Sequence, residues 1–272
     1  MTRRFVQLAW LAATATYLLI VLGAIVRITG SGLGCGEHWP LCNGRWLPPL
    51  ELPTLIEWGH RFIAALVSVL VGAVAVFAWW LTRHPATDER AGIPASAAYG
   101  AVLLLAAQVA LGAITVKLDL PPWTVILHLG TAMLLLASLL VVARGGLGRP
   151  SRAALGAAAL GFVTVLFGAL TANMGAARAC VGFPLCSGQV FPSSPEQQIQ
   201  WAHRLLAYVL LLYALVWALK SEAPGPRYAL ALVLVQAGVA AAMVLLALPG
   251  VLQAAHVAVG AGVWAGLVLT AL

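Results

Sequence analysis

Charge is what this sequence has least of. Only 8% of its 272 residues are Asp, Glu, Lys or Arg, 62% are hydrophobic, and the mean hydropathy is +0.98. So little polarity excludes an ordinary water-soluble domain. Acidic residues number only eight, and the net charge of +7 comes from bases scattered over short segments. With no basic face or stripe, a nucleic-acid partner is excluded. No small-residue cleavage site separates the first apolar run from the polar segment after it, and that run is long for a signal sequence. It is expected to stay as a helix. Cysteine is confined to four residues and histidine to six, so any chemistry of sulfur or imidazole has few places to reside.

What the sequence does have is apolar runs of the length that crosses a bilayer, about 20 residues for roughly 30 Å. They are read at 5–28, 57–82, 95–117, 122–143, 153–173, 197–220, 228–247 and 250–272. The expected fold is an all-α integral membrane protein of eight transmembrane helices. With the N-terminus inside, the inner segments hold Arg3, Arg4, Arg83, Arg90, Arg144, Arg149, Arg152, Lys220 and Arg227. The outer ones hold Arg45, Arg178 and, at a helix end, Lys117. That bias predicts cytoplasmic termini in a bacterial-type cell membrane, and tryptophans such as Trp58, Trp201, Trp79 and Trp217 fall where interfacial belts are expected.

The chain repeats itself. Leu22-Gly23-Ala24-Ile25 matches Phe167-Gly168-Ala169-Leu170, and Cys35, Cys42 and Gly44 match Cys180, Cys186 and Gly188. Glu57-Trp58-Gly59-His60-Arg61 then faces Gln200-Trp201-Ala202-His203-Arg204, and Gln108, Leu120-Pro121 and His128 face Gln236, Leu248-Pro249 and His256. Two four-helix bundles related as parallel repeats follow, 1–146 and 147–272, joined by a basic Gly/Pro/Arg linker.

Four of the six histidines lie inside predicted spans: His60, His128, His203 and His256, each seven or eight residues after a proline. At about 1.5 Å per residue they share one depth, on the order of 10 Å below the helix ends. A single such histidine is as readily explained by a bond to a carbonyl. Four in a repeated pattern point instead to two per half as axial ligands of a haem iron in a bundle core. Zinc fits less well, because it commonly takes three or four protein ligands at one point. Arg61 and Arg204 follow two of these histidines and are candidates for haem propionates or for simple interfacial anchoring.

The cysteines fall in segments assigned to the oxidising side, so disulfides Cys35–Cys42 and Cys180–Cys186 are the default expectation, stapling a loop over each bundle. A redox-active first pair and a metal site of Cys35, His38 and Cys42 are weaker alternatives. The halves differ where polarity matters: Glu57 becomes Gln200 and Arg27 becomes Ala172. A carboxylate three residues before His60 shares its helical face and can accept a proton, whereas an amide cannot. The first half therefore reads as the place of chemistry and the second as a relay.

The run Gly30-Ser31-Gly32-Leu33-x-Cys35-x2-His38-Trp39-Pro40-x-Cys42-x-Gly44, with Glu57-Trp58-x-His60-Arg61, His128 and the second copy, closely resembles haem A synthase over essentially the whole chain. The resemblance implies oxidation of the C8 methyl of haem O to a formyl group through a hydroxymethyl stage. It implies that His60 and His128 hold substrate, that Glu57 assists oxidation, and that His203 and His256 ligate a haem b. The implied partners are haem O, the haem O synthase that supplies it, a membrane electron acceptor and further copies of the chain. The leading rival from the residues alone is a dihaem cytochrome b that only transfers electrons. A thiol-oxidising enzyme using the cysteine pair, or a haem carrier without turnover, follows behind it.

Overall fold

A computed structural model describes residues 2–84 and 94–272, so Arg90 lies outside the described residues. Eight long α-helices follow one another: α1 Arg3–Ile28, α2 Leu52–Arg83, α3 Ala95–Lys117, α4 Pro122–Arg144, α5 Arg152–Asn173, α6 Pro195–Lys220, α7 Pro224–Leu245 and α8 Gly250–Ala271. Each is long and apolar enough to cross a membrane, and among the described residues no β-strand forms beyond two isolated bridges. The protein is a multi-pass membrane protein.

Local chemistry sets where these helices begin. Thr2, Ser151 and Ser194 each accept a backbone N–H of the following turn, from Phe5, Ala154 and Gln197, which satisfies donors a helix start leaves orphaned. Helices α2, α4, α6 and α7 open with a proline in their first two positions, where the missing N–H costs nothing and φ is preset. Apolar patterning places α2 at residue 57, but it starts at Leu52. Its first turn contains Pro53 beside exposed Glu51 and Leu52, so the proline starts the helix before hydropathy can register it.

The connections α3–α4 and α7–α8 turn in the same unusual way. Asp119 and Leu120 hold φ values of 57° and 59°, and Ala247 and Leu248 hold 59° and 64°. Two successive non-glycine residues in the left-handed region cost about 1 kcal/mol or more each. The gain is capping: the N–H of Leu120 donates to the Thr115 carbonyl and that of Leu248 to the Met243 carbonyl, both at 2.8 Å, so each helix end satisfies a carbonyl it would otherwise leave orphaned.

The chain divides into two compact units, Met1–Thr124 with Thr131–Arg149 and Leu272, and Val125–Gly130 with Pro150–Ala271. In the first, α1 packs on α2 and α2 on α3, with Phe5 and Phe77 meeting edge to face at 5.6 Å and Ser138 of α4 donating to the Ala97 carbonyl of α3. In the second, α5, α6, α7 and α8 close a four-helix ring in which α8 returns to α5. Small residues such as Ala157, Ala214 and Ala229 bring these backbones close, and Leu210, Val233, Val263 and Leu267 fill what remains. Replacing Leu267, which is fully buried, by Ala is expected to cost about 2–4 kcal/mol. Leu219→Ala, on a face 78% exposed within the chain, is expected to cost under about 1 kcal/mol. Unfolding in mixed micelles, followed by tryptophan fluorescence, measures both.

Candidate functional site

Each unit carries a polar cap built over its second helix. In the first, the chain leaves α1, and Cys35 and Cys42 close a disulfide with Cα atoms 4.3 Å apart. The N–H of Cys42 donates to the Arg45 carbonyl and that of Asn43 to the Cys35 carbonyl. The second cap repeats this design. Cys180 and Cys186 are bonded with Cα atoms 4.5 Å apart, and the N–H of Gln189 donates to the Cys186 carbonyl. Asn43 and Ser187 both take a left-handed φ. The disulfides match the expected pairing. They also remove the alternative of a Cys35, His38 and Cys42 metal site, because the sulfurs are used and His38 is exposed. Among the described residues no group of three metal-binding side chains gathers.

The residue that separates the halves chemically is the one that fastens each cap. Glu57 is 3% exposed and its Oε2 accepts the Cys35 N–H at 2.7 Å. Gln200, buried in the same way, accepts the Cys180 N–H through Oε1 at 2.6 Å. An sp² oxygen at this position is thus a structural requirement of both halves, and only its charge differs. That charge is used: Glu57 Oε1 pairs with Arg61, one turn on, while the Arg61 Nη1 donates to the carbonyls of His38 and Leu41, both at 2.8 Å. Among the described residues no carboxylate pairs with Arg204. It donates instead to the carbonyls of Gly182, Leu185 and Cys180 at 2.9, 2.8 and 3.1 Å. Both arginines, candidates for propionates in the sequence, are thus engaged as clamps on the caps.

Below the caps lie the histidines. His60 and His203 stand eight residues into α2 and α6, and His128 and His256 six into α4 and α8, or about 12 and 9 Å along the axis. All four are half-buried. Each histidine of the longer pair rests on a glycine of the preceding helix. A Cβ on Gly23 would lie 3.2 Å from His60 Cε1, and one on Gly168 only 3.0 Å from His203 Cε1, so a side chain there would push the ring away.

The second unit gives the fuller picture. The rings of His203 and His256 have centroids 6.4 Å apart and stand at 85° to each other. Two metal–nitrogen bonds of about 2 Å and the half-widths of two imidazoles span roughly 6 Å, so one iron fits at this separation. His203 Nδ1 lies 3.1 Å from the Thr164 carbonyl. A carbonyl only accepts, so Nδ1 carries the proton and Nε2 keeps a lone pair, the form that binds metal. Nothing in the side-chain sequence announces that backbone partner. Gln236, which lies against His256, was legible only as a retained repeat position opposite Gln108. Arg27 stands half-buried one residue before the end of α1.

The sequence pattern of a family described as cytochrome oxidase assembly protein matches residues 6–54 and 51–268. The chain is also similar to a heme A synthase of Symbiobacterium thermophilum, 34% identical over 226 residues that cover 74% of this chain and 72% of the relative. A heme A synthase of Bacillus cereus is 31% identical over 246 residues, covering 82% and 76%, and one of Bacillus licheniformis is 30% identical over 234 residues, covering 80% and 75%.

The cap geometry carries its own expectation. Glu57→Gln keeps the acceptor that Gln200 already provides while removing the buried charge paired with Arg61, and because Arg61 retains the carbonyls of His38 and Leu41 it is expected to lower stability by about 1–2 kcal/mol. Glu57→Leu strands the Cys35 N–H and the Arg61 guanidinium together and is expected to cost about 3 kcal/mol. Thermal unfolding compares the two, and equal losses would refute the anchoring role.

Proposed function

The chain belongs to the COX15-CtaA family of cytochrome oxidase assembly proteins, and from that membership we propose that it is a haem A synthase, a membrane oxidoreductase acting on the C8 methyl group of haem O. The observation that carries the reading is a buried carboxylate, Glu57, one helical turn before a half-buried histidine, His60, in a chain whose relatives of comparable length bear that name. Conversion of the methyl to a formyl group proceeds through hydroxymethyl, takes up one water and releases four electrons and four protons to a membrane electron acceptor. In this reading residues 1–146 hold the chemistry and 147–272 the relay.

In this reading His60 holds the substrate, and Gly23 keeps the His60 ring at its level. Glu57 Oε1 accepts both the Nε and the Nη2 of Arg61, whereas Oε2 accepts only the Cys35 N–H and keeps a second lone pair. Glu57 therefore receives a proton from the methyl or from attacking water without releasing the cap. Fixed by Arg61, it also presents its negative charge at one place, where it stabilises positive charge developing next to the ring. In the second half His203 and His256 hold a haem b, which supplies a reversible one-electron site. The spacing of their rings and the protonated Nδ1 of His203 support that assignment. Arg61 and Arg204 act there through the caps, and any propionate contact is additional to those bonds.

The caps lie on the outer side and both termini in the cytoplasm, as the distribution of Lys and Arg and the two disulfides support. A reporter active only outside the membrane is then on when fused after Val190 and off when fused after Arg149.

A second reading, a dihaem electron carrier, is favoured by one observation: Glu57 and Gln200 make the same bond to their caps, which makes the halves more alike than their chemistry. Haems extracted after expression with a source of haem O separate the two. Wild type is expected to yield hydroxymethyl and formyl haem, Glu57→Gln to stall at haem O or the hydroxymethyl stage with turnover down about 100-fold, and His203→Ala to lose the low-spin haem. Unmodified haem from all three intact proteins would leave the carrier reading standing.

A further inference from the structure

Helices α2 and α6 begin at matching places in the repeat, Leu52 facing Pro195, yet α2 runs for 32 residues and α6 for 26. The surplus is residues 78–83, Ala-Trp-Trp-Leu-Thr-Arg, about 9 Å of helix. Neither the cap nor the histidine calls for it, because it lies at the other end of the bundle, where α1 starts. Two tryptophans and an arginine in the surplus turn need a different reason.

At that end α1 and α2 leave an open groove of about 680 Å³ between them. Its floor is apolar: Leu8 of α1 with Ala73, Val76 and Phe77 of α2, Phe77 being held edge to face by Phe5 at 5.6 Å. Its mouth is cationic and aromatic. Arg4, Trp79 and Trp80 border it, and the Arg83 guanidinium stands 5.5 Å from the centre of the Trp79 ring. Trp80 is braced between Phe77 and His84, with ring centres 6.2 and 5.3 Å away. None of the lining residues is acidic, and both arginines are exposed.

An apolar trough that ends in indoles and guanidinium groups matches a molecule with a hydrocarbon tail and a charged head. Tryptophan favours the level of lipid headgroups, and a guanidinium offers a fork of donors that fits two phosphate oxygens. Two positive charges without a carboxylate in the lining favour a headgroup of net negative charge over a zwitterionic one. A protein surface laid over the groove would have to take both arginines out of water, a cost that a headgroup in contact with water avoids.

We propose that this groove binds one anionic phospholipid of the leaflet away from the caps, an acyl chain lying along Leu8, Ala73 and Val76 and the phosphate held by Arg4 and Arg83. The lipid joins the first turn of α1 to the last turn of α2. Helix α6 stops at Lys220, before the positions that correspond to Trp79, Trp80 and Arg83, so the site belongs to the first half.

The test uses the full-length protein in detergent, freed of lipid and titrated with phosphatidylglycerol or with phosphatidylcholine of the same acyl chains. Native mass spectrometry counts the lipids bound. Wild type is expected to take up one phosphatidylglycerol about tenfold more tightly than phosphatidylcholine, and Arg4→Gln and Arg83→Gln each to weaken it about fivefold. Val76→Trp, which fills the groove from a position 65% exposed, is expected to weaken both lipids. Arg152→Gln, at an exposed arginine opening α5, is expected to change neither. Equal affinity for the two lipids, undiminished binding to Val76→Trp, or a loss with Arg152→Gln as large as with Arg83→Gln would each overturn the proposal. So would a lipid-free dimer that Val76→Trp disperses, since the groove would then seat a second copy. Should Val76→Trp fail to fold, the comparison of Arg83→Gln with Arg152→Gln decides alone.

Discussion

One hydrogen bond recurs in both halves and the rest of the polar structure hangs from it: a side-chain oxygen on the second helix of each half accepting the N–H of the first cysteine in the cap. In a protein with so few polar groups, an extramembrane loop has little hydrophobic reason to settle on the bundle. The bond from Cys35 to Glu57, or from Cys180 to Gln200, settles it. The arginine one turn later then closes the remaining carbonyls, and the disulfide restrains the loop so that these carbonyls converge. Because that arginine directly follows the histidine in sequence, the cap and the histidine share one rigid helix. The chemistry proposed for Glu57 is thus placed on a group that the fold already immobilises.

That arrangement also changes the meaning of the Glu57/Gln200 difference. From the residues alone it separates a reactive half from an inert one. In space it is a conservative pair that preserves one function, anchoring, while adding another, charge. The charge alters what the arginine does: Arg61 divides itself between carboxylate and carbonyls, whereas Arg204 spends its whole fork on backbone.

Much of this was legible beforehand. Eight spans follow from hydropathy because a bilayer demands unbroken apolar helices, and the histidine levels follow from counting residues from prolines that do start helices. The disulfide partners follow from short spacing. Other features were not legible, for identifiable reasons. The early start of α2 escaped because its first residues, Leu52 and Pro53, follow polar Glu51 and are exposed, and a proline reads as a break in an apolar run even where it opens the helix. The arginines looked available for a ligand because a sequence lists side chains and hides the carbonyls that loops present. For the same reason the Thr164 carbonyl, which determines the ring form of His203, has no signature in residue type. Gln236 did leave a trace, as a polar residue kept at its place in the repeat, but its meaning required the neighbouring ring.

The glycines beneath His60 and His203 carry an implication for descent. Codons for glycine and alanine differ by one base, so a single nucleotide separates a half that seats its imidazole from one that displaces it. Either copy of the repeat can therefore lose or regain the seat of its imidazole by one substitution without rebuilding its helices, and the two copies are free to diverge at that point while remaining one chain.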